Sequence, residues 1–322
     1  MRGRGIGGYM LRRLLMLIPL ALAVSIVVFL LLSLVPGGPV AALIGEHATN
    51  TATVQALQVK YHLNDPLYLR YIYWLRDVLH GDLGQSIFTS QPVLTAIGDR
   101  VGVTLTLNVV GIILTLLIGV TTGTIAAVRR GRLLDRMVVA ITTVLSSSPP
   151  FVIAIIALYL FALKFGIFPI FGLGDGSTLD WLWHLTLPAM VMAIGPLAFI
   201  TKITRASMLD QLDRDHVSFA RARGLSELRI VVRYGLRNAL IPIITASGLL
   251  LIGLLTGTVF VESVFAIPGL GGLLVTAINN SDIPVIQGIV LIVAIWIILA
   301  NIGIDLLYAV VDPRVSFGRG KS

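Results

Sequence analysis

The chain has 322 residues, of which 56% are hydrophobic and only 12% charged, and a formal net charge of +8. A mean hydropathy of +0.94 exceeds what the core of a water-soluble domain needs; it excludes an ordinary soluble enzyme and points to a polytopic helical membrane protein. With no cysteine, disulfides, thiolate metal sites and a cysteine nucleophile are excluded too.

Six stretches free of Asp, Glu, Lys and Arg cover residues 14–35, 101–128, 137–163, 181–201, 238–261 and 283–304. The shortest has 21 residues, enough at about 1.5 Å per residue to cross roughly 30 Å of hydrocarbon as a helix. The sequence therefore predicts an all-α integral membrane protein with six transmembrane helices. A cleaved leader has an apolar core of roughly 7–15 residues; the first run is longer and leads into VPGGPV, so residues 1–35 read as a retained anchor helix. In this arrangement one side holds only Lys60, Arg70, Arg76, Arg100 and Lys164, five of the 24 basic residues. The other side holds the rest, and the positive-inside rule makes that side, with both termini, cytoplasmic. The basic charge is a mark of topology and not a nucleic-acid footprint.

Residues 36–100 then form an extracytoplasmic segment. Asp65 and Pro66 suit the start of a helix whose Tyr68, Tyr71, Ile72, Leu75 and Leu79 share a face, with Arg70 and Asp77 opposite and Gly81 closing it. Such a helix can lie in the outer membrane interface or cover the spans as a lid. In the third run, SSSPP sets Pro149 and Pro150 about midway, where they free backbone carbonyls that neighbouring helices, hydroxyls or water must satisfy. A kink facing a cavity makes Ser147, Pro149 and Pro150 candidates for a translocation pathway; a packing kink with small serines at a helix interface is the alternative. Pro188 and Gly195-Pro196 predict bends in the fourth run.

The fourth and fifth runs are joined by the most polar segment, 205–240. Eleven charged residues lie between Arg205 and Arg237; at about 2.5–3.5 kcal/mol each at a helix centre, burying them in lipid would cost well over 20 kcal/mol. This is a cytoplasmic loop. Residues 215–223 can form a short helix broken at Gly224, followed by a second piece reaching Asn238 before Pro242. A stiff protruding helix can act as a lever in a moving partner; alternatively its arginines enforce topology and contact anionic lipid.

Several chemistries are missing. No Asp, Glu, Lys or Arg lies inside any of the six runs, so a charged site for proton or sodium coupling near the midplane is absent; Asp305 falls just past the last run. No carbonyl filter or charged ring suggests a channel. The GRGKS at the C-terminus lacks the first glycine of a phosphate loop, with Val315 in its place, and leaves no helix to follow. The five histidines His47, His62, His80, His184 and His216 make no i, i+4 pair, so neither a metal site nor a cofactor is expected. The chain has a pathway-like body without an engine.

Blocks spread along the whole chain carry a resemblance: YMLRRLLMLIP, VPGGP, YHLNDPLYLRYIYWL with HGDLGQS, SFARARGLSE with RNALIP, VFVESVFAIPGLGGLL and DLLYAVVDPR. In that order they resemble the transmembrane permease subunit of bacterial binding-protein-dependent ABC importers, in the peptide and nickel family. Related permeases carry a Glu-Ala-Ala pattern with Gly four residues after the second Ala, in a loop that docks on the ATP-binding subunit. Aligned on Gly224, the pattern falls on Ser218, Phe219 and Ala220, so only the second alanine matches. The later Ile-x-Leu-Pro falls on Tyr234, Leu236 and Arg237, where only leucine matches.

The resemblance implies a permease core over 101–311 with its coupling loop at 205–240, a cytoplasmic tail at 312–322, and location in the bacterial cytoplasmic membrane. It further implies a sister permease, two ATP-binding subunits that carry out hydrolysis, and an extracytoplasmic solute-binding protein, with no catalytic residue in this chain. Phe219, Ala220, Arg221, Arg223, Gly224 and Leu225 are the expected coupling residues. The solute is a di- or oligopeptide, or alternatively a nickel chelate or glutathione-like molecule. A self-sufficient secondary carrier and a non-transporting scaffold are the other classes.

Overall fold

A computed structural model of the chain describes residues 18–30, 65–174 and 176–311, and within these the side chains of all but 251, 252, 255, 256 and 304–311. The basic N-terminus, the VPGGP stretch and the tail at 312–322 lie outside the described residues. In chain order the helices are α1 (Ile18–Leu30), α2 (Leu67–Leu79), α3 (Val93–Val128), α4 (Leu133–Ser147) and α5 (Pro150–Ala157, continued by π-helical Leu158–Lys164). They continue with α6 (Thr178–Leu212), α7 (Asp215–Ala222), α8 (Arg237–Val264), α9 (Leu270–Asn279) and α10 (Ile283–Val311). Among the described residues the only other pairing is one isolated antiparallel bridge between Gln85 and Pro92.

Among the described residues three helices, α3, α6 and Ile283–Gly303 of α10, are long and apolar enough to cross a membrane. Taken together, α4 and α5 pass the same test but are bent by 106° at their break. This differs from the single kinked rod expected over 137–163, and the reason is local. Ser148 and Pro149 each precede a proline, which disfavours the helical basin, and both take extended backbone with ψ of 132° and 135°. Two prolines in succession also remove two backbone donors. The remaining predicted runs fall on α1, described only from Ile18, and on the 28-residue α8.

The chain folds into two compact units. The described part of the first comprises α1, α2, the start of α3 up to Gly102, α9 and α10 up to Leu299. Its core joins Val93 and Ile97 of α3 to Leu270 and Ala277 of α9 and Val285 and Ile289 of α10. The buried Asp282 carboxylate accepts hydrogen bonds from the Ser86 hydroxyl and the Ile87 amide, tying the bridge-forming loop to the α9–α10 turn. On α2 the predicted shared face divides: the Tyr71 hydroxyl lies 2.7 Å from the Ser25 hydroxyl of α1 and the Tyr71 ring packs edge-on to Phe29, while Tyr68, Ile72 and Leu79 point outward.

The second unit runs over Val103–Pro268 and resumes at Ala300. Helix α6 is its centre, with twelve buried residues from Leu185 to Met208. It continues through Pro188 and Pro196 without interruption. Its core unites Leu107 of α3, Ala154 of α5, Leu185 and Met192 of α6, and Leu254 and Phe265 in and just after α8. Close approach of α3 to α6 depends on glycine: a Cβ at Gly119 would meet Ile200 at 2.9 Å, and one at Gly123 would meet the Thr201 carbonyl at 2.6 Å. This is the small-residue packing by which apolar helices gain contact when hydrophobic exclusion offers nothing.

Candidate functional site

The polar segment between α6 and α8 folds into a compact elbow. Val217 and Ala220 on one face of α7 meet Ile230, and all three are buried, with Leu212, Leu225 and Tyr234 packed around them. Helix α7 ends in a Schellman closure: the Gly224 amide donates to the Arg221 carbonyl at 2.9 Å and the Leu225 amide to the Ala220 carbonyl at 3.3 Å. Gly224 has φ of +74°, a backbone position where L-residues are strained and glycine is not. Across the turn Arg221 Nε donates to Glu227 Oε1 at 3.0 Å.

The predicted coupling residues are brought together here in three roles. Ala220 and Leu225 are inner packing, Gly224 is the turn itself, and Phe219, Arg221 and Arg223 face outward. The Phe219 ring is 71% exposed, an apolar group left on the most charged part of the chain. Leu228, beyond the turn, is 76% exposed and was missed in the sequence because its neighbours in RGLSELRI give no periodicity to flag it.

The second half of the elbow feeds straight into the membrane-apolar region. Glu227–Arg229, π-helical Ile230–Leu236 and α8 form one uninterrupted helical course. It was expected to break between Asn238 and Pro242. The helix instead passes through Pro242, which takes away one amide and leaves the carbonyl four residues earlier without its usual donor. Gly235 in the π segment lets α6 come close: a Cβ there would meet Met208 at 2.9 Å. The second half of the elbow and α8 are therefore one continuous helical rod.

A second polar contact braces the same end of the unit. Asp135, buried in the first turn of α4, accepts Arg205 Nε at 2.6 Å and a terminal nitrogen at 2.8 Å, and also the Gly131 amide at 2.9 Å. Bidentate guanidinium pairs of this kind are among the stronger polar contacts. Both groups lie beyond the uncharged runs ending at Thr201 and starting at Met137. The Arg205 hydrogen bond holds the Asp135 carboxyl down to about 2, against a desolvation that pushes it up and with a further lowering from the Gly131 amide. Nearby, Arg130 meets Asp213 at 2.9 Å.

Of the predicted pathway residues, Ser147, Pro149 and Pro150 are all exposed. The Ser147 hydroxyl is turned back to the Thr143 carbonyl at 2.9 Å. Pro150, with the adjacent Ser148, lines a cavity between the α4–α5 break, α6 and α8; Ser147 and Pro149 do not. At the other end of α8, Glu262 is wholly buried and its Oε1 accepts the Thr104 hydroxyl at 2.6 Å. One turn along, Asn108 donates to Thr258 Oγ1 at 3.1 Å. Sequence patterning passed over this acid because it stands one residue outside the uncharged run, where charges normally reach water. Among the described residues no group of His, Cys, Asp and Glu could hold a metal.

The profile of the binding-protein-dependent transport system inner membrane component matches residues 119–317, and the profile of the N-terminal part of such membrane components matches 7–108. A chain of Brucella suis biovar 1 named as a peptide permease is 40% identical over 95% of this chain and 98% of its own. One of Sinorhizobium fredii named as a peptide ABC transporter permease is 37% identical over 97% and 100%. The dipeptide transport system permease protein DppB of Escherichia coli is 34% identical over 95% and 98%. Among solved structures, an inward-facing conformation of the MetNI methionine ABC transporter aligns with a TM-score of 0.59 at 21% identity, over 70% of this chain and 100% of the other, a likeness of fold. The chain belongs to the family of binding-protein-dependent transport system inner membrane components, and within it to the peptide ABC transporter permeases.

Proposed function

We propose that this chain forms half of the translocation pathway of an ATP-driven importer of di- or oligopeptides. It crosses the bacterial cytoplasmic membrane six times, with both termini and the 205–240 loop in the cytoplasm. A sister permease completes the pathway, two ATP-binding subunits drive it and an extracytoplasmic binding protein delivers solute. The anchor at 1–35, the extracytoplasmic segment at 36–100 and the tail at 312–322 flank the permease core at 101–311.

The observation that carries the reading is the exposed Phe219 on an elbow whose second half is continuous with α8. Seated in a groove of an ATP-binding subunit, Phe219 and Leu228 supply apolar anchors, while Arg221 and Arg223 supply charge at the rim. Closure of the ATP-binding subunits displaces the elbow, and the rod from Glu227 to Val264 turns that displacement into a tilt at the far end of α8. The Asp135–Arg205 pair keeps the start of α4 moving with α6 as this happens. Alternating access follows from two packed arrangements of these helices.

The test is peptide-stimulated ATP hydrolysis by the assembled importer in liposomes. Phe219→Asp abolishes stimulation with assembly intact if the reading holds. Peptide uptake by this chain alone without ATP would instead identify a self-sufficient carrier.

A further inference from the structure

We infer that the cavity at the α4–α5 break is a subsite for an uncharged, branched aliphatic side chain of a peptide in transit. This rests on the proposed transport function and adds a selectivity to it.

The cavity has a volume of about 100 Å³. That exceeds the ~30 Å³ share of one water and falls below the ~150 Å³ engineered cavity that admits benzene, a range suited to a group the size of an isobutyl or sec-butyl chain. Its walls come from three helices: Ile153 of α5, Met192 of α6, and Leu254 and Val261 of α8. Among the described residues Ser148 contributes the one lining hydroxyl, and that group donates to the Val144 carbonyl at 2.9 Å. A charged or amide-bearing side chain entering here exchanges water for a mostly apolar wall whose lining hydroxyl already donates to a carbonyl, and is disfavoured.

Glycine keeps the space open. Gly195, Gly253 and Gly257 all line the cavity, and among the described residues a Cβ built on any of them meets nothing within 4 Å. They differ in this from Gly111, Gly119 and Gly123 of α3, where a neighbour fills the same volume. Packing of the unit therefore does not require glycine at 195, 253 or 257. In a helix interior glycine is less favourable than alanine, so three glycines facing one void call for another reason, and admission of a guest group supplies it. The sharp break that exposes Pro150 opens the cavity beside the kink for which the sequence left open a pathway role and a packing role.

Two measurements test the subsite in the complete importer. With Gly257→Leu, whose side chain occupies the cavity, the uptake ratio of Leu-Leu to Gly-Gly dipeptides, or of the corresponding tripeptides, falls about ten-fold, the scale on which apolar pockets discriminate by size. Because the chain has no cysteine, Gly257→Cys gives a single thiol whose alkylation is slowed at least three-fold by Leu-Leu and not by Gly-Gly. An unchanged uptake ratio overturns the subsite. So does alkylation that ignores both peptides, as a water-filled crevice gives, or that varies with lipid acyl length, as a lipid-occupied groove gives. If the wild-type importer carries neither peptide, it is the transport reading that has failed, a result separate from unaltered selectivity in a working importer.

Discussion

Arg205 on α6 grips Asp135 on α4 through two nitrogens at 2.6 and 2.8 Å, and the same carboxylate also accepts the Gly131 amide. One buried acid thus ends the α3–α4 turn, starts α4 and binds it to the helix that leads into the elbow. Asp135→Asn loses the charge from every one of these contacts. Hydrogen bonds to charged groups contribute about 1.5–3 kcal/mol, so the variant should melt several degrees lower in detergent. The sign with pH also follows: a carboxyl held at about 2 in the folded chain stabilises fully above the ordinary carboxylate value of about 4 and loses that contribution as pH falls from there to about 2. Melting of the wild type across that window should fall toward that of Asp135→Asn, and parallel curves would refute the clamp.

Gly224→Ala tests the Schellman closure. A Cβ at this position meets no neighbour, so the whole penalty comes from placing an L-residue at φ of +74°, about 1–2 kcal/mol. Hydrogen exchange should show faster opening of the Leu225 amide with little change in α6.

Glu262 is judged by paired replacements. Glu262→Gln keeps an acceptor for the Thr104 hydroxyl, whereas Glu262→Leu takes it away inside a buried region. The leucine variant should be less stable than the glutamine one by about 1–3 kcal/mol. Equal stabilities would mean that the Thr104 contact contributes nothing.

Much of this architecture was legible because lipid imposes simple rules. Uncharged length marked α3, α6 and α10, and the dense charge of 205–240 marked the elbow and its break at Gly224. What was not legible depended on tertiary neighbours. The Pro149-Pro150 pair reads the same whether it kinks a rod or turns it through 106°. Pro242 reads as a stop although the helix runs through it, and whether Tyr71 shares a face with Tyr68 depends on Phe29, 42 residues earlier. Glu262 offered no signal at all: an acid at the edge of an apolar run looks solvated until a threonine from another helix is found beside it.

If the proposed function holds, the elbow meets a nucleotide-hydrolysing partner on the cytoplasmic side. With no native cysteine to interfere, Phe219→Cys can be cross-linked through its single thiol in the assembled importer within membranes. The expected result is a product joining this chain to an ATP-binding subunit, with a yield that changes when nucleotide is added, and no labelling by an impermeant maleimide from the extracytoplasmic face. Labelling from that face, or the absence of any product with an ATP-binding subunit, would contradict it.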